Sequence, residues 1–121
     1  MTVVKFTPAD IAQSTLLETD WFEAKIEDIE FKPSKDKESN NYVTRFTILK
    51  NGKVIVRYFN DKYIGYMIPF FEALLKRKVT PSDELDPSLA KGKNMNVHVI
   101  TVKDDKGQLR NDIDGFRPSS S

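Results

Sequence analysis

The sequence predicts an all-β domain of five strands, with one helix between the third and fourth strands and a short helix near the N-terminus. Apolar residues alternate with polar ones in several runs, and after Asn60 they change to three- and four-residue spacing. A chain of 121 residues has room for one ordinary domain. We therefore expect a single domain over residues 1–117, with an N-terminal extension over 1–20 and a disordered tail over 118–121.

The first two predicted elements are a helix, indicated by its capping residue, and a strand, indicated by alternating apolar residues. Thr7 is a good cap and Pro8 suits the first helical position, so a helix is predicted over Pro8–Leu17. The strand Trp21–Lys32 contains two apolar series of opposite parity, Phe22, Ala24 and Ile26 and then Ile29 and Phe31. A bulge near Glu27 and Asp28 reconciles the two series.

A hairpin is the most distinct signal in the sequence. The segment 33–41 has no apolar residue and is expected to be a mobile loop. Tyr42–Lys50 and Lys53–Phe59 are rich in β-branched and aromatic residues, and Asn51-Gly52 between them suits the positive φ angles of a type I′ turn. We expect two antiparallel strands that turn at this dipeptide.

The second half of the chain predicts one helix and two strands. Apolar spacing indicates an amphipathic helix over Tyr63–Lys78, with Pro69 near its first turn. A polar connection over Thr80–Lys91 contains at most one helical turn. The remaining predicted elements are a strand over Asn94–Val102, a turn over Asp104–Gly107 and a strand over Gln108–Phe116.

This order of elements is the connectivity of the five-stranded Greek-key barrel called the OB-fold. A bent first strand favours it, because that strand serves both halves of such a barrel. A generic antiparallel sheet with one covering helix is the alternative.

Composition excludes several classes of function. The chain has no Cys and a single His, His98, so cysteine nucleophiles, thiolate metal sites and catalytic His pairs are excluded. No glycine-rich phosphate loop occurs, and the acidic clusters are typical of turns. We expect no enzyme activity, no cofactor and no metal. Without a long apolar run, we expect no membrane span and a cytoplasmic location.

The distribution of basic and aromatic residues along the chain indicates that the ligand is a polyanion. Residues 42–80 carry 8 basic and 2 acidic side chains in a chain whose net charge is only +1. Cations that contact phosphates and rings that stack on bases are what non-specific binding of single strands requires. The candidate binding residues are Trp21, Lys32, Lys35, Lys37, Tyr42, Arg45, Lys50, Lys53, Arg57, Tyr58, Lys62 and Tyr63.

Parity along the hairpin divides these candidates. Phe46 and Phe59 are expected in the core, whereas Arg45 and Tyr58 fall on the opposite parity and are expected on the ligand surface. Arg57 shares the parity of Phe46, so it lies beyond the core edge or marks a different register. The alternative for Arg45 and Tyr58 is an exposed cross-strand pair with no ligand.

Four segments occur in order over residues 18–117: WFEAKIEDIEFKPSKDKESNNYVTRFTIL, VRYFNDK, MIPFFEALL and KGKNMNVHV. With these segments the sequence resembles a family of small phage-encoded proteins that bind single-stranded DNA or are associated with recombination. The resemblance implies a non-enzymatic OB-fold protein that coats and protects single strands in phage DNA replication or recombination, in the cytoplasm of a bacterial host. An acidic C-terminal tail, frequent among such proteins, is replaced by RPSSS.

The candidate partners are therefore single-stranded DNA, replication or recombination proteins and a second copy of the chain. The alternative function is an OB-like scaffold that binds another protein and has no nucleic-acid ligand.

Overall fold

A computed structural model describes residues 2–120 of the chain. These residues form one five-stranded antiparallel sheet with strand order β3-β2-β1-β4-β5. The elements are α1 (Pro8–Ser14), β1 (Asp20–Pro33), β2 (Asn40–Ile48), β3 (Val54–Asn60), a 3₁₀ helix (Asp61–Met67), α2 (Ile68–Leu75), a 3₁₀ turn (Pro87–Ala90), β4 (Asn94–Lys103) and β5 (Leu109–Pro118). The predicted all-β class, with a helix between the third and fourth strands, is confirmed.

The strand β1 is shared by both halves of the sheet. Its first part, residues 20–25, pairs with β4, and its second part, residues 24–33, pairs with β2. The register with β2 shifts between Ile26 and Asp28, so the predicted bulge is confirmed. The bulge also exchanges the two faces of the strand, because Ala24 and Ile26 point inward before it and Ile29 does so after it.

The two outer strands of this curved sheet, β3 and β5, approach each other but form no ladder. The order of the strands and the bent β1 are compatible with a five-stranded OB-fold whose barrel is open between β3 and β5. In residues 2–120 no helix is both long and apolar enough to cross a membrane.

An aromatic cluster fills the centre of the sheet. Phe46 and Phe59 are fully buried, as parity predicts. Phe70 of α2 lies 5.5 Å from Phe59 and 6.2 Å from Phe46 between ring centroids, and Phe116 of β5 lies 5.6 Å from Phe70. Ring pairs at these separations stabilise the core beyond their burial alone, and they hold α2 against β5.

The hairpin forms, but its turn is not type I′. Only Gly52 has a positive φ, +77°, and its N–H donates to the Ile48 carbonyl over 2.7 Å. Asn51 instead uses its side-chain oxygen to accept from the Lys53 N–H over 3.0 Å. A local side-chain bond of this kind competes with the backbone turn that the dipeptide favours, and the strands end at Ile48 and Val54.

Both helices are shorter than predicted. The Thr7 capping box with Asp10 forms, but α1 ends at Ser14 rather than Leu17. In place of one helix over 63–78, the 3₁₀ helix precedes α2, and Tyr63 between its turns is non-helical. Because Pro69 has no N–H to donate, α2 begins beside it.

The connection between β1 and β2 has polar anchors that its composition does not reveal. Ser39 is buried and accepts from Asn60 Nδ2 over 2.9 Å, and the Ser34 N–H donates to the Ser39 carbonyl over 3.0 Å. The Asn40 N–H donates to Asp61 Oδ1 over 3.0 Å. The segment has no apolar anchor, as its composition indicates, and these hydrogen bonds take the place of apolar packing. The mobility of the segment stays a prediction.

The predicted disordered tail is held at its start. Pro118 pairs with Met95 at the end of β5. The Ser119 hydroxyl and the Ser120 N–H both donate to the Glu23 carboxylate, over 2.7 and 3.0 Å. Ser121 lies outside the described residues.

Residues that follow α1 fill one end of the gap between β3 and β5. The Asn111 side-chain amide accepts from the Leu17 N–H over 2.8 Å and donates to the Leu17 carbonyl over 3.0 Å. Lys53 is only 6% exposed, and its ammonium donates to Asn111 Oδ1 over 2.9 Å and to the Thr15 carbonyl. The placement of Lys53 on the ligand surface is therefore wrong.

Replacement of Lys53 by Met should destabilise the fold by about 1–3 kcal/mol, because the Thr15 carbonyl and Asn111 Oδ1 lose a buried donor. Urea unfolding measures the change. Lys50→Met is the control, since Lys50 is exposed in the same hairpin and its loss should change stability by less than about 0.5 kcal/mol. Equal stability of Lys53→Met and the parent would show that this network contributes nothing.

Burial lowers the pKa of Lys53 below its ordinary value. Between that lowered pKa and the ordinary value of about 10.4, the unfolded chain binds more protons than the folded one. Lys53 therefore makes the free energy of unfolding increase with pH in this alkaline window. The stability of the parent relative to Lys53→Met should rise as pH is raised, which urea titrations at several alkaline pH values will measure. A constant or falling difference would contradict this.

Candidate nucleic-acid interface

A groove of about 620 Å³ lies between the outward face of the β2–β3 hairpin and the start of the β1–β2 connection. Its wall includes four of the predicted binding residues, Lys32, Lys35, Arg45 and Tyr58. The hairpin strands contribute Arg45 and Tyr58 because their side chains point away from the core, as parity predicts. The groove is completed by Pro33, Ser34, Asp36, Asn41 and Val43.

The register explains why these side chains converge. Tyr58 pairs across the hairpin with Val43, and Arg45 pairs with Asp28 of β1, on the far side of the bulge. Lys32 lies further along the same outward face of β1, where it pairs with Asn41. Three neighbouring strands thus supply one ring and two cations to a single concave surface.

Tyr58 offers a ring to a ligand. It is 56% exposed, whereas its cross-strand partner Val43 is only 6% exposed. A buried aliphatic residue next to an exposed ring provides a supported platform on which a planar group can stack. The ring also borders a second groove, between β3 and β5.

One carboxylate balances the two strand cations of the groove. Glu30 accepts an ion pair from Lys32 over 2.8 Å and from Arg45 Nη1 over 3.4 Å. The hydrogen bond and the charge of Lys32 lower the pKa of Glu30, so this carboxylate is ionised at neutral pH. The two cations are held in place without a ligand, and Glu30 competes with any anion for them.

Two further predicted residues lie beside the groove rather than in it. Lys37 is exposed in the connection, in a left-handed conformation with φ of +59°. Lys62, at the start of the 3₁₀ helix, forms an ion pair with Glu38 over 3.4 Å. This pair links the connection to the 3₁₀ helix, so the cations of the two segments belong to one region of the surface.

The 3₁₀ helix presents two exposed tyrosines. Tyr63 was predicted as a binding residue, and Tyr66 was missed. Tyr63 and Tyr66 line a small cavity of about 300 Å³ with Gly65. The two tyrosines at a spacing of three were the available signal, but the prediction of an α-helix concealed it.

Besides Lys37, Lys53, Lys62 and Tyr63, four more predicted residues do not line the groove: Trp21, Lys50, Tyr42 and Arg57. Trp21 lies on the first half of β1, where the Arg117 guanidinium stacks 3.8 Å from its ring centroid and the His98 ring lies at 5.0 Å. Lys50, in the hairpin turn, lies 5.8 Å from the centre of the Phe22 ring.

Tyr42 and Arg57 occupy the inward parity of the hairpin. The ring of Tyr42 is half-buried and packs 4.7 Å from that of Phe31, an exposed ring that the sequence analysis did not select. Arg57 lies 4.8 Å over the Phe59 ring and donates from Nη1 to the Tyr58 carbonyl over 2.7 Å. The register is therefore the expected one, and Arg57, which faces the same side as Phe46, lies at the edge of the core.

Comparison of the chain with models of known protein families gives no match, and comparison with curated proteins gives none either. The resemblance to phage single-strand-binding proteins stays a prediction.

Proposed function

We propose that this protein binds single-stranded DNA, without catalysis, in the groove beside the hairpin. The observation that carries the proposal is the meeting of Arg45, Lys32, Lys35 and Tyr58 on one concave surface. Cations next to an exposed ring are the combination with which proteins hold single strands of any sequence. The groove lies on the second and third strands, the face that OB-folds use for oligonucleotides.

In this proposal the side chains of the groove have separate roles. Arg45 and Lys32 contact backbone phosphates, and Lys35 adds a third cation where the β1–β2 connection begins. Tyr58 stacks on a base, a contact that does not depend on which base it is. A phosphate that binds here displaces Glu30 from the two strand cations, so Glu30 limits the affinity.

The bound strand extends toward the 3₁₀ helix. Lys62 and Lys37 lie on that side of the groove, and Tyr63 and Tyr66 offer two more exposed rings. A path that runs from Tyr58 past the connection to these tyrosines alternates rings with cations, as non-specific strand binding requires.

The resemblance to phage single-strand-binding proteins supports a biological role for this activity. A small protein that coats single strands protects them during replication or recombination, and the family it resembles does so for phages in the bacterial cytoplasm. Replication or recombination proteins are then its protein partners.

A protein-binding scaffold is the second candidate function. It is favoured by the exposed apolar side chains of the 3₁₀ helix and the first residue of α2, Tyr63, Ile64, Tyr66 and Ile68. Affinity for oligo-dT at two salt concentrations separates the two functions. Strand binding predicts a steep loss of affinity with salt, whereas a scaffold without a nucleic-acid ligand predicts little binding at either concentration.

Substitutions in the groove should separate charge from stacking. Arg45→Ala should reduce the slope of log affinity against log salt by about 0.7, the contribution of one neutralised phosphate. Tyr58→Ala should weaken binding of oligo-dT by about 1–3 kcal/mol and leave the slope unchanged, since stacking releases no counterions. Fluorescence anisotropy across a salt series measures both effects.

Arg77→Ala is the matched control for the arginine. Arg77 is also half-exposed and ion-paired, with Asp83 over 2.9 Å, but it follows α2 and does not line the groove. Its loss should leave the salt slope unchanged. If folded Arg45→Ala and Tyr58→Ala proteins bind oligo-dT as the parent does, the binding surface is not in this groove.

Glu30→Gln should bind oligo-dT more tightly than the parent, because Arg45 and Lys32 lose their competing carboxylate. We expect a gain of up to about fivefold at low salt, which corresponds to the upper value for one exposed ion pair, and a smaller gain at high salt. Glu84→Gln, which makes the same change in net charge at an exposed position outside the groove, should bind as the parent does. Equal gains in the two variants would indicate a general charge effect.

Incubation with labelled single-stranded DNA and Mg²⁺ should leave the strand intact, and EDTA should not change the affinity. Residues 2–120 contain no cluster of three His, Cys, Asp or Glu side chains placed to hold a metal. Gel electrophoresis of the labelled strand measures the outcome. EDTA-sensitive cleavage by pure protein would replace the binding proposal with a nuclease.

A further inference from the structure

The groove between β3 and β5 shares Tyr58 with the groove beside the hairpin. Its volume of about 690 Å³ lies within the range of ligand sites in proteins. Val56 and Tyr58 of β3 supply one side of it, because both alternate with the buried core residues of the strand. Leu16, which follows α1, and Leu109 and Arg110, at the start of β5, supply the other side.

The charged side chains that line this groove are all cationic. Of residues 2–120, those in its wall include Lys53 and Arg110 and no carboxylate. The side chain of Arg110 is about half exposed, and Asp112, its ion-pair partner over 3.5 Å, is not part of the wall. A concave surface with an excess of positive charge attracts anions.

Lys53 places a buried positive charge behind this wall. Its ammonium donates to the Thr15 carbonyl and to Asn111 Oδ1. Both acceptors are neutral, so they satisfy the N–H groups without balancing the charge. Burial of this cation lowers its pKa, since the surroundings disfavour the charged form. An anion in the groove offsets part of that cost, because an opposite charge stabilises a buried cation.

The remaining side chains of the groove suit the faces of bases rather than their edges. Leu16 and Leu109 are exposed, and bases stack on apolar as well as aromatic side chains. The Gln13 side-chain amide is already used, because it accepts from the Val54 N–H over 2.8 Å and donates to the Val54 carbonyl over 2.9 Å. Polar groups that bond within the protein do not read base edges, so this groove suits any base.

We propose that the groove between β3 and β5 binds the continuation of the single strand that stacks on Tyr58, with Arg110 in contact with a backbone phosphate. The inference rests on the proposed function, since Tyr58 is the residue that lines both grooves. The strand then has a cation on each side of one ring, Arg110 in one groove and Arg45 in the other. The phosphate displaces Asp112 from Arg110, and the buried charge of Lys53 attracts the strand without touching it.

Substitution of Arg110 tests the phosphate contact. With an oligo-dT of about 16 nucleotides, the upper site size for one OB-fold, Arg110→Ala should weaken binding up to about fivefold at low salt. It should also reduce the slope of log affinity against log salt by about 0.7. Arg77→Ala is the matched control, because Arg77 is equally half-exposed and paired with one aspartate but lies outside both grooves. Fluorescence anisotropy across a salt series measures both variants.

A thiol at position 16 tests contact with the strand directly. Because the chain has no Cys, Leu16→Cys places a unique thiol in the wall of the groove. Saturating oligo-dT should slow alkylation of this thiol severalfold. Leu89→Cys, at an exposed position outside both grooves, should react at the same rate with and without DNA. Circular dichroism and urea unfolding establish that each variant is folded.

The failure of this inference is distinguishable from the failure of strand binding. If Arg45→Ala and Tyr58→Ala weaken binding but Arg110→Ala binds as the parent does, the strand does not reach Arg110 and only the further inference is overturned. Alkylation of Leu16→Cys at the same rate with and without oligo-dT overturns it as well, because the groove is then empty in the complex. A parent that does not bind oligo-dT overturns both proposals.

Discussion

The bulge between Ile26 and Asp28 is the feature on which the rest of the structure depends. It allows β1 to pair with β4 over its first half and with β2 over its second, and so curves one sheet until β3 and β5 face each other. It also exchanges the faces of β1, so that Glu30 and Lys32 point outward next to Arg45. Without this change of parity both charges would face the core. The candidate groove therefore depends on one extra residue in one strand.

Local alternation was sufficient to predict much of this arrangement. It placed Phe46 and Phe59 in the core and Arg45 and Tyr58 on the outward face, because those assignments depend only on neighbours in the same strand. The same alternation indicates that Lys53 faces inward, because Lys53 shares the parity of the buried Phe59. The general rarity of buried lysine outweighed that signal, although Asn111 and Thr15 satisfy the ammonium.

Features that depend on distant partners were not predictable in the same way. Lys53 and Asn111 are 58 positions apart, and Ser39 and Asn60 are 21 apart. No local pattern indicates that such polar side chains will meet and hold a connection or a gap in a sheet. The split of the predicted helix has the same origin, since the fold places Met67 and Phe70 in the core and leaves Tyr63 and Tyr66 outside. Tertiary packing, rather than propensity, sets the boundaries there.

The ring of Tyr58 lines the groove beside the hairpin and also the groove between β3 and β5. A strand that stacks on the ring restricts this exposed side chain, and the conformational entropy that the side chain loses lowers the affinity. The salt slope depends on Arg45 and Lys32, because only the cations release counterions from the phosphates. The conformation of Tyr58 therefore changes the affinity for a single strand without changing the salt slope.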